Sequence, residues 1–391
     1  MQPLEGIRII DLTHALAGPY GVLLLADLGA DVIKVEPIEG DPFREAYEGG
    51  IFIAANRNKK SLALNLKTEE GRDVLRKLIK ISDVIVENFT PGKLEEIGFG
   101  YEDVSKINPR IIYCSLSGFG QSGPYSKWRA FDPVIQAMCG SMAATGEQGG
   151  RPVRNAGSFI DTGTGVMLAY SILAALIARE KTGKGQRIDI SLFESAVSWM
   201  NYYIIYYLLT GEIPEKMGTG YKAFFPYGLF ETKDRPIYIA AHNEKAWKAL
   251  CETLDAGYLL EDERFKTNDD RCRHRKELEE ELNKILRKMS CDEVLERLTK
   301  AEIACGPLLT VADLVDNPHL KEREVFIKVK HPTKNSEVKS VGMPIKFSEI
   351  KFKLRYHPPK LGEHSIEILK DLGYSEDEIY RLKEKKIVYF P

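Results

Sequence analysis

Between Gly6 and Leu116, short apolar and β-branched runs alternate with helix-length segments, and this alternation leaves few architectures open. Strands are expected at Gly6 to Thr13, Asp31 to Glu36, Ser61 to Leu64, Asp83 to Phe89 and Arg110 to Leu116. A helix is expected from Gly18-Pro19 through Leu28, with the proline in the first turn, where its missing N–H costs nothing; another runs from Glu69 to Ile81. Strands alternating with helices over this length argue for an α/β fold with a mostly parallel sheet covered on both faces.

The chain has 391 residues, more than the roughly 250–300 at which a single core stops growing, so two domains are expected. A strand at Arg187 to Ser191 leads into an aromatic helical stretch from Glu194 to Leu209, and the composition then changes. A strand pair around Gly228 to Ala241 precedes charged amphipathic helices at Glu244 to Thr253, Arg273 to Met289 and Cys291 to Ala301. We therefore draw a large domain from residues 1–210 and 329–391, a linker at 211–227 and a smaller α/β domain at 228–328. Ser375 to Glu378 reads as a capping box for a last short helix.

The formal charge of −2 comes from nearly balanced acids and bases, so nucleic-acid and membrane-surface partners are not expected. Cysteines at 114, 139, 251, 272, 291 and 305 form no Cys-x-x-Cys pair and no zinc spacing, which suits reduced thiols, no metal and a cytoplasmic setting. The first residues show no basic segment followed by an apolar one, so no secretory leader is expected. The turn from Asp11 to Gly21 lacks the Gly-x-Gly-x-x-Gly pattern, which disfavours a dinucleotide oxidoreductase. Thr182-Gly183-Lys184-Gly185 ends a helix instead of following a strand, so Gly183 is read as a C-cap and not as part of a phosphate loop.

Asp161 sits in Gly157-Ser158-Phe159-Ile160-Asp161-Thr162-Gly163-Thr164-Gly165, ahead of an apolar run from Val166 to Ala178. That run is shorter than the ~20 residues a bilayer span takes and is closely flanked by charge, so it is read as a core helix. Asp161 is then either an N-cap, the commoner role, or a reactive carboxylate beside main-chain N–H groups that Gly163 and Gly165 leave open to a ligand. These residues alone leave both readings standing.

Several strings bear on the choice together: DLTHALAGPYGVLLLADLGADVIKVE from Asp11, NKKSLALNLKTEEG from Asn58, VIVENFTPG from Val84, SLSGFGQSGPYS from Ser115, REKTGKGQ from Arg179 and PPKLGEHS from Pro358. With the Asp161 segment, and in this order, they resemble the class III CoA-transferases, the family that includes formyl-CoA transferase and the carnitine CoA-transferases. The resemblance implies a Rossmann-like large domain built from both chain ends, a small inserted domain, and two subunits threaded as interlocked rings. It implies that Asp161 is the nucleophile, that coenzyme A or acyl-CoA is a substrate with no permanently bound cofactor, and that a carboxylic acid is the acceptor. CoA transfer would run through an aspartyl anhydride and an aspartyl-CoA thioester, with the helix N-terminus favouring the ionised carboxylate and with N–H groups near Gly163 and Gly165, or in the glycine-containing small-domain loop, facing the oxyanion. The family's CoA-binding positions fall on Leu16, Ala17, Pro37, Leu64, Asn65, Lys67, Asn88, Phe89, Thr90, Arg129, Ala130, Phe131 and Asp132. Lys67 and Arg129 are the natural phosphate partners among them, although each taken alone is an ordinary surface base. His14 is read as bonding locally.

The same family contains α-methylacyl-CoA racemases, which place a histidine where this chain has Phe131; their small-domain glutamate aligns with Asn243. Both departures count against racemisation, which needs acid/base groups on two sides of the α-carbon. The glutamine of the formyl-CoA branch is Leu16 here, and its glycine-rich lid has no counterpart between Pro226 and Asn243, so the acids stay open. A CoA-binding protein without chemistry is the remaining alternative.

Overall fold

The structure, a computed structural model, describes residues 2–391. It divides into two compact units, one comprising the chain up to Ser141 with Arg154–Thr210 and Lys321–Pro391, the other Met142–Val153 with Gly211–Leu320. Relative to the boundaries drawn from composition, the first unit gives up 142–153 and takes in 321–328.

The first unit opens with β1 (Arg8–Asp11), α1 (Ala17–Asp27), β2 (Asp31–Glu36), α2 (Gly50–Ala55), β3 (Lys59–Leu64), α3 (Glu69–Lys80), β4 (Val84–Glu87), α4 (Tyr101–Ile107) and β5 (Ile112–Ser117). It continues through α5 (Asp132–Met138), α6 (Ser141–Ala144), whose residues after Ser141 fall in the second unit, α7 (Phe159–Thr182), β6 (Gln186–Ser191), α8 (Leu192–Trp199) and α9 (Asn201–Thr210). Every strand expected before residue 120 is present within a few residues of its expected place.

In the second unit β7 (Tyr227–Phe230), β8 (Ile237–Ala240) and β9 (Ala304–Pro307) form an antiparallel sheet. Helices at Glu244–Thr253, Arg275–Leu286 and Cys291–Lys300 supply Trp247, Leu250, Leu278, Leu282, Leu286, Val294 and Leu298 to that unit's own core. Asn243 caps the first of these helices, its Oδ1 accepting from Ala246 N–H at 2.8 Å. Back in the first unit, β10 (Phe326–Lys330) and β11 (Glu337–Val341) form a hairpin, and β12 (Val388–Tyr389) joins the main sheet.

The main sheet has the order β12-β3-β2-β1-β4-β5-β6, parallel throughout except for the antiparallel edge strand β12. Successive side chains on a strand face opposite ways, and the sheet uses both faces. Ile9, Val32, Val86 and Cys114 pack with Val22 and Leu25 of α1 and Leu168 and Ile172 of α7. Their neighbours Ile10, Ile33, Ile85 and Tyr113 pack with Val74 and Leu78 of α3 and with Ile368 and Ile379 near the chain end. The sheet therefore lies between two apolar layers, as the alternation of elements requires.

Two helical expectations change. The stretch from Glu194 to Leu209 is two helices, because the Met200 N–H is shared between Ala196 and Val197 and closes α8 before α9 begins. The core helix runs 24 residues, well beyond its apolar run, and is long and apolar enough to cross a membrane by length and composition. Leu168, Ile172 and Leu176 nonetheless lie in the sheet's core. Gly183 ends this helix at φ 72, as the C-cap reading requires.

Candidate active site

Helix α7 starts at Phe159, so Asp161 is its third residue and not its cap. Ser158 occupies the cap position, but its side chain accepts no capping bond. The first amides of any helix lack intrahelical partners, and here α5 supplies one. Asp132 Oδ2 accepts from Ile160 N–H at 2.8 Å and from Asp161 N–H at 3.2 Å. The other oxygen, Oδ1, accepts from Gln136 Nε2 at 2.5 Å, and Gln136 Oε1 accepts from Asn155 N–H at 2.9 Å. Asp132 is 2% exposed. It was expected among the CoA-lining residues; both of its carboxylate oxygens are instead engaged with α5 and the first turn of α7.

Asp161 is half-buried, and among the described residues its carboxylate forms no hydrogen bond or ion pair. Burial, followed by the charge on Asp132, pushes its carboxyl up to about 7. The expectation that the helix terminus holds it ionised is thus reversed, because the amides that would do so point at Asp132.

The two glycines also serve another purpose than the expected one. A Cβ on Gly163 would lie 2.4 Å from the indole of Trp199, and one on Gly165 would lie 2.7 Å from the carbonyl oxygen of Ala17 in α1. They permit close helix packing, and their amides sit inside the helix, where N–H groups bond carbonyls four residues back. An oxyanion needs other donors.

The candidate groove residues share one edge of the sheet. Leu16-Ala17 follow β1, Pro37 follows β2, Leu64 to Lys67 end and follow β3, and Asn88 to Thr90 follow β4. Ala130 packs on the cluster that holds Leu116 and Phe119 at the end of β5. In open α/β sheets, ligands bind at this carboxyl edge. Helix α7 leads directly into the amino end of β6, which is parallel to β5, so its first turn lies toward the same edge. Asn88 fastens the β1–α1 turn from the neighbouring loop: its Oδ1 accepts from His14 N–H and its Nδ2 donates to His14 O, both at 2.9 Å. The His14 ring meets Phe89 edge-on at 5.5 Å and lies 3.8 Å from Asp41, in keeping with a local role. Lys67 and Arg129 are exposed and form no ion pair among the described residues, which leaves both free for an anion. Pro37 and Thr90 are exposed, and Phe131 is 65% exposed.

A cavity of about 620 Å³ lies against the start of α7, lined in part by Leu16, Tyr20, Arg154, Ser158 and Thr162. A second guanidinium on its wall, Arg57, is committed to Asp27 at 2.5 Å and to Val341 O at 2.8 Å. Arg154 is exposed and has no ion pair among the described residues. Sequence reading passed over Arg154, Tyr20 and Gln136; a lone base upstream of Asp161 was the sole signal for the first.

The description of CoA-transferase family III matches residues 4–365. The chain belongs to CoA-transferase family III. Mouse succinyl-CoA:glutarate CoA-transferase is 38% identical over 394 residues, covering 98% of this chain and 89% of the relative. Acetyl-CoA:oxalate CoA-transferase of Acetobacter aceti is 38% identical over 382 residues, covering 96% and 97%. The crystal structure of a CAIB/BAIF family protein from Brucella suis superposes with a TM-score of 0.87 at 38% identity, over 95% of this chain and 99% of that one. In this family III CoA-transferase, Asn243 acts as a helix cap, and the residue preceding Asp132 carries no imidazole.

Proposed function

We propose that this enzyme moves CoA from an acyl-CoA donor to a small carboxylic acid through Asp161. The observation that carries this reading is an unpartnered, desolvated carboxylate toward the carboxyl edge of the sheet, the edge that also bears five strand-end loops suited to a CoA groove. Ionised Asp161 attacks the thioester carbonyl, the C–S bond breaks, and a mixed anhydride and CoA thiolate form. The thiolate then attacks the aspartyl carbonyl, releasing the donor acid and leaving an aspartyl-CoA thioester. The acceptor carboxylate repeats both steps in reverse and regenerates Asp161, with no net proton transfer. Lys67 and Arg129 are the proposed phosphate contacts, with Leu16, Ala17, Asn88 and Phe89 along the groove.

Relatives named for glutarate and oxalate support a short dicarboxylic acceptor. Arg154 supports the same class, since an uncommitted guanidinium on a cavity wall that Ser158 and Thr162 of the α7 start also line can hold a second carboxylate bidentately. We also propose a homodimer with interlocked subunits. Helix α9 is apolar all round yet has no buried residue, and Leu208, Leu209 and Tyr170 of α7 are exposed, a pattern that suits coverage by a second copy.

The test is a matrix of acyl-CoA donors and carboxylate acceptors read by mass spectrometry, with Asp161→Ala as control. Absence of CoA exchange across a broad panel sinks the proposal. Exchange of the donor's α-proton in heavy water without an acceptor acid points to a racemase instead.

A further inference from the structure

We propose that Asp132 and Gln136 form a positioning device for Asp161, one that fixes its main chain and keeps a negative charge beside its carboxylate. This rests on the reading of Asp161 as nucleophile. The device is a chain of four hydrogen bonds: Asn155 N–H to Gln136, Gln136 to Asp132, and Asp132 to the amides of Ile160 and Asp161. Asp132 and Gln136 are both buried, so the chain is shielded from water. It anchors the approach to α7 at Asn155 and the first turn at 160 and 161, which leaves Asp161 little freedom of main-chain position.

A simple cap needs one acceptor for the orphan amides and could be a serine on α7 itself. Here Ser158 holds the cap position without performing it, and the acceptor is a full charge from another helix. That choice has a chemical consequence. Residue 161 is anionic at rest and neutral as an anhydride or thioester. A neighbouring negative charge therefore disfavours the resting carboxylate relative to both covalent intermediates, and makes the carboxylate more basic.

Among the described residues, the other elements packed on α7 bring no competing charge to this turn. Asp27 of α1 is spent on Arg57, and Glu194 of α8 takes the Ser191 hydroxyl. On β6, Asp189 accepts from Gln121 N–H and Arg187 donates to the Gln121 side chain. The charged residues of α7 other than Asp161 lie in its last turns, where Arg179 pairs with Asp83. Among the described residues, Arg129, three residues before Asp132, and Arg154 in the loop before α7 are exposed cations without an ion pair.

The experiment compares the wild type with Asp132→Asn and with Asp132→Asn/Gln136→Glu. The single change can turn a side-chain amide nitrogen at position 132 toward Gln136 Nε2, donor against donor; the double change restores donor-to-acceptor pairing and moves the charge one side chain away from Asp161. The readout is the rate at which acyl-CoA modifies Asp161, trapped with hydroxylamine and located by mass spectrometry, as a function of pH. The wild-type rate is expected to rise with a midpoint near 7. Both variants are expected to move that midpoint down by about one pH unit or more. The double variant is expected to regain the thermal stability that the single variant loses, while its rate at high pH stays at least about 10-fold below wild type.

A double variant that folds and binds CoA but keeps the wild-type midpoint makes Asp132 an ordinary cap and overturns the proposal. So does a wild-type midpoint near the ordinary aspartate value of about 4, which needs no variant to fold. Wild-type enzyme that transfers CoA without ever becoming labelled at Asp161 overturns the nucleophile reading itself, a separate outcome.

Discussion

Asp11 and Asp161 both lie toward the carboxyl edge of one sheet, and their surroundings are opposite. Asp11, at the end of β1, is fully buried; its Oδ2 accepts from Lys59 Nζ at 2.8 Å and its Oδ1 from the Thr13 N–H at 3.0 Å. Lys59 also bonds Pro19 O and Asn56, while Lys34 reaches Thr13 O and Asp41. Burial alone would push the Asp11 carboxyl up, but the ammonium groups of Lys59 and Lys34 outweigh it and hold the carboxyl below the usual range. Asp161 has burial and a second carboxylate with no cation in contact, and it moves the other way. A buried charge whose partner is in hydrogen-bonding reach ties strands together, whereas one denied a partner is held ready to react.

This contrast can be broken in several ways. The largest effect is expected from Asp161→Ala, with kcat for CoA transfer falling by at least ~10³-fold while calorimetric CoA binding is largely kept. A loss of binding equal to the loss of rate would make Asp161 a groove residue instead. Lys59→Met should act on the fold, lowering stability by about 3–5 kcal/mol in a denaturant titration, since it leaves Asp11 buried and uncompensated. A midpoint unchanged from wild type would mean the Asp11 cluster is not the brace described here.

Arg154→Ala sharpens the site half of the comparison. A charged hydrogen-bonding partner is lost, so kcat/KM for short dicarboxylic acceptors should fall about 10- to 100-fold, against less than about 3-fold for monocarboxylic ones. Equal losses for both classes would remove Arg154 from acceptor recognition. The smallest effect is on stability. A carboxyl raised to about 7 binds its proton more tightly folded than unfolded, so its contribution is present in acid and is lost as pH rises through 7. Asp161→Asn should therefore melt slightly higher than wild type at pH 8 and match it at pH 4, by scanning calorimetry. The reverse order would mean the carboxylate has a cation partner after all.

Much of the fold was legible because its signals are local. The strand–helix alternation up to Leu116 and the helix from Glu244 to Thr253 rest on periodicity, and the Ser375 capping box is present with both reciprocal bonds. The family was legible from the Asp161 segment's place among the other strings, and the proposal for Asp161 follows from it. Its cap was not, because Asp132 and Asp161 are 29 residues apart and a run such as Phe131-Asp132-Pro133 reads as an ordinary helix start. Gly163 and Gly165 misled for a related reason: a bare backbone looks the same in sequence whether a ligand or another helix approaches it. Arg154 was invisible because nothing in a string of residues says which arginines have already found a carboxylate.

By itself, then, the sequence determined the order of elements, the class of sheet they build and the family to which the chain belongs, all properties of neighbouring residues and their spacing. Tertiary structure alone decided how charge is shared out: Asp11 with Lys59, 48 residues away, and Asp161 left beside Asp132. The physical reason is that a carboxylate's behaviour depends on burial and on charges within a few ångströms, and the chain acquires both only when distant segments meet.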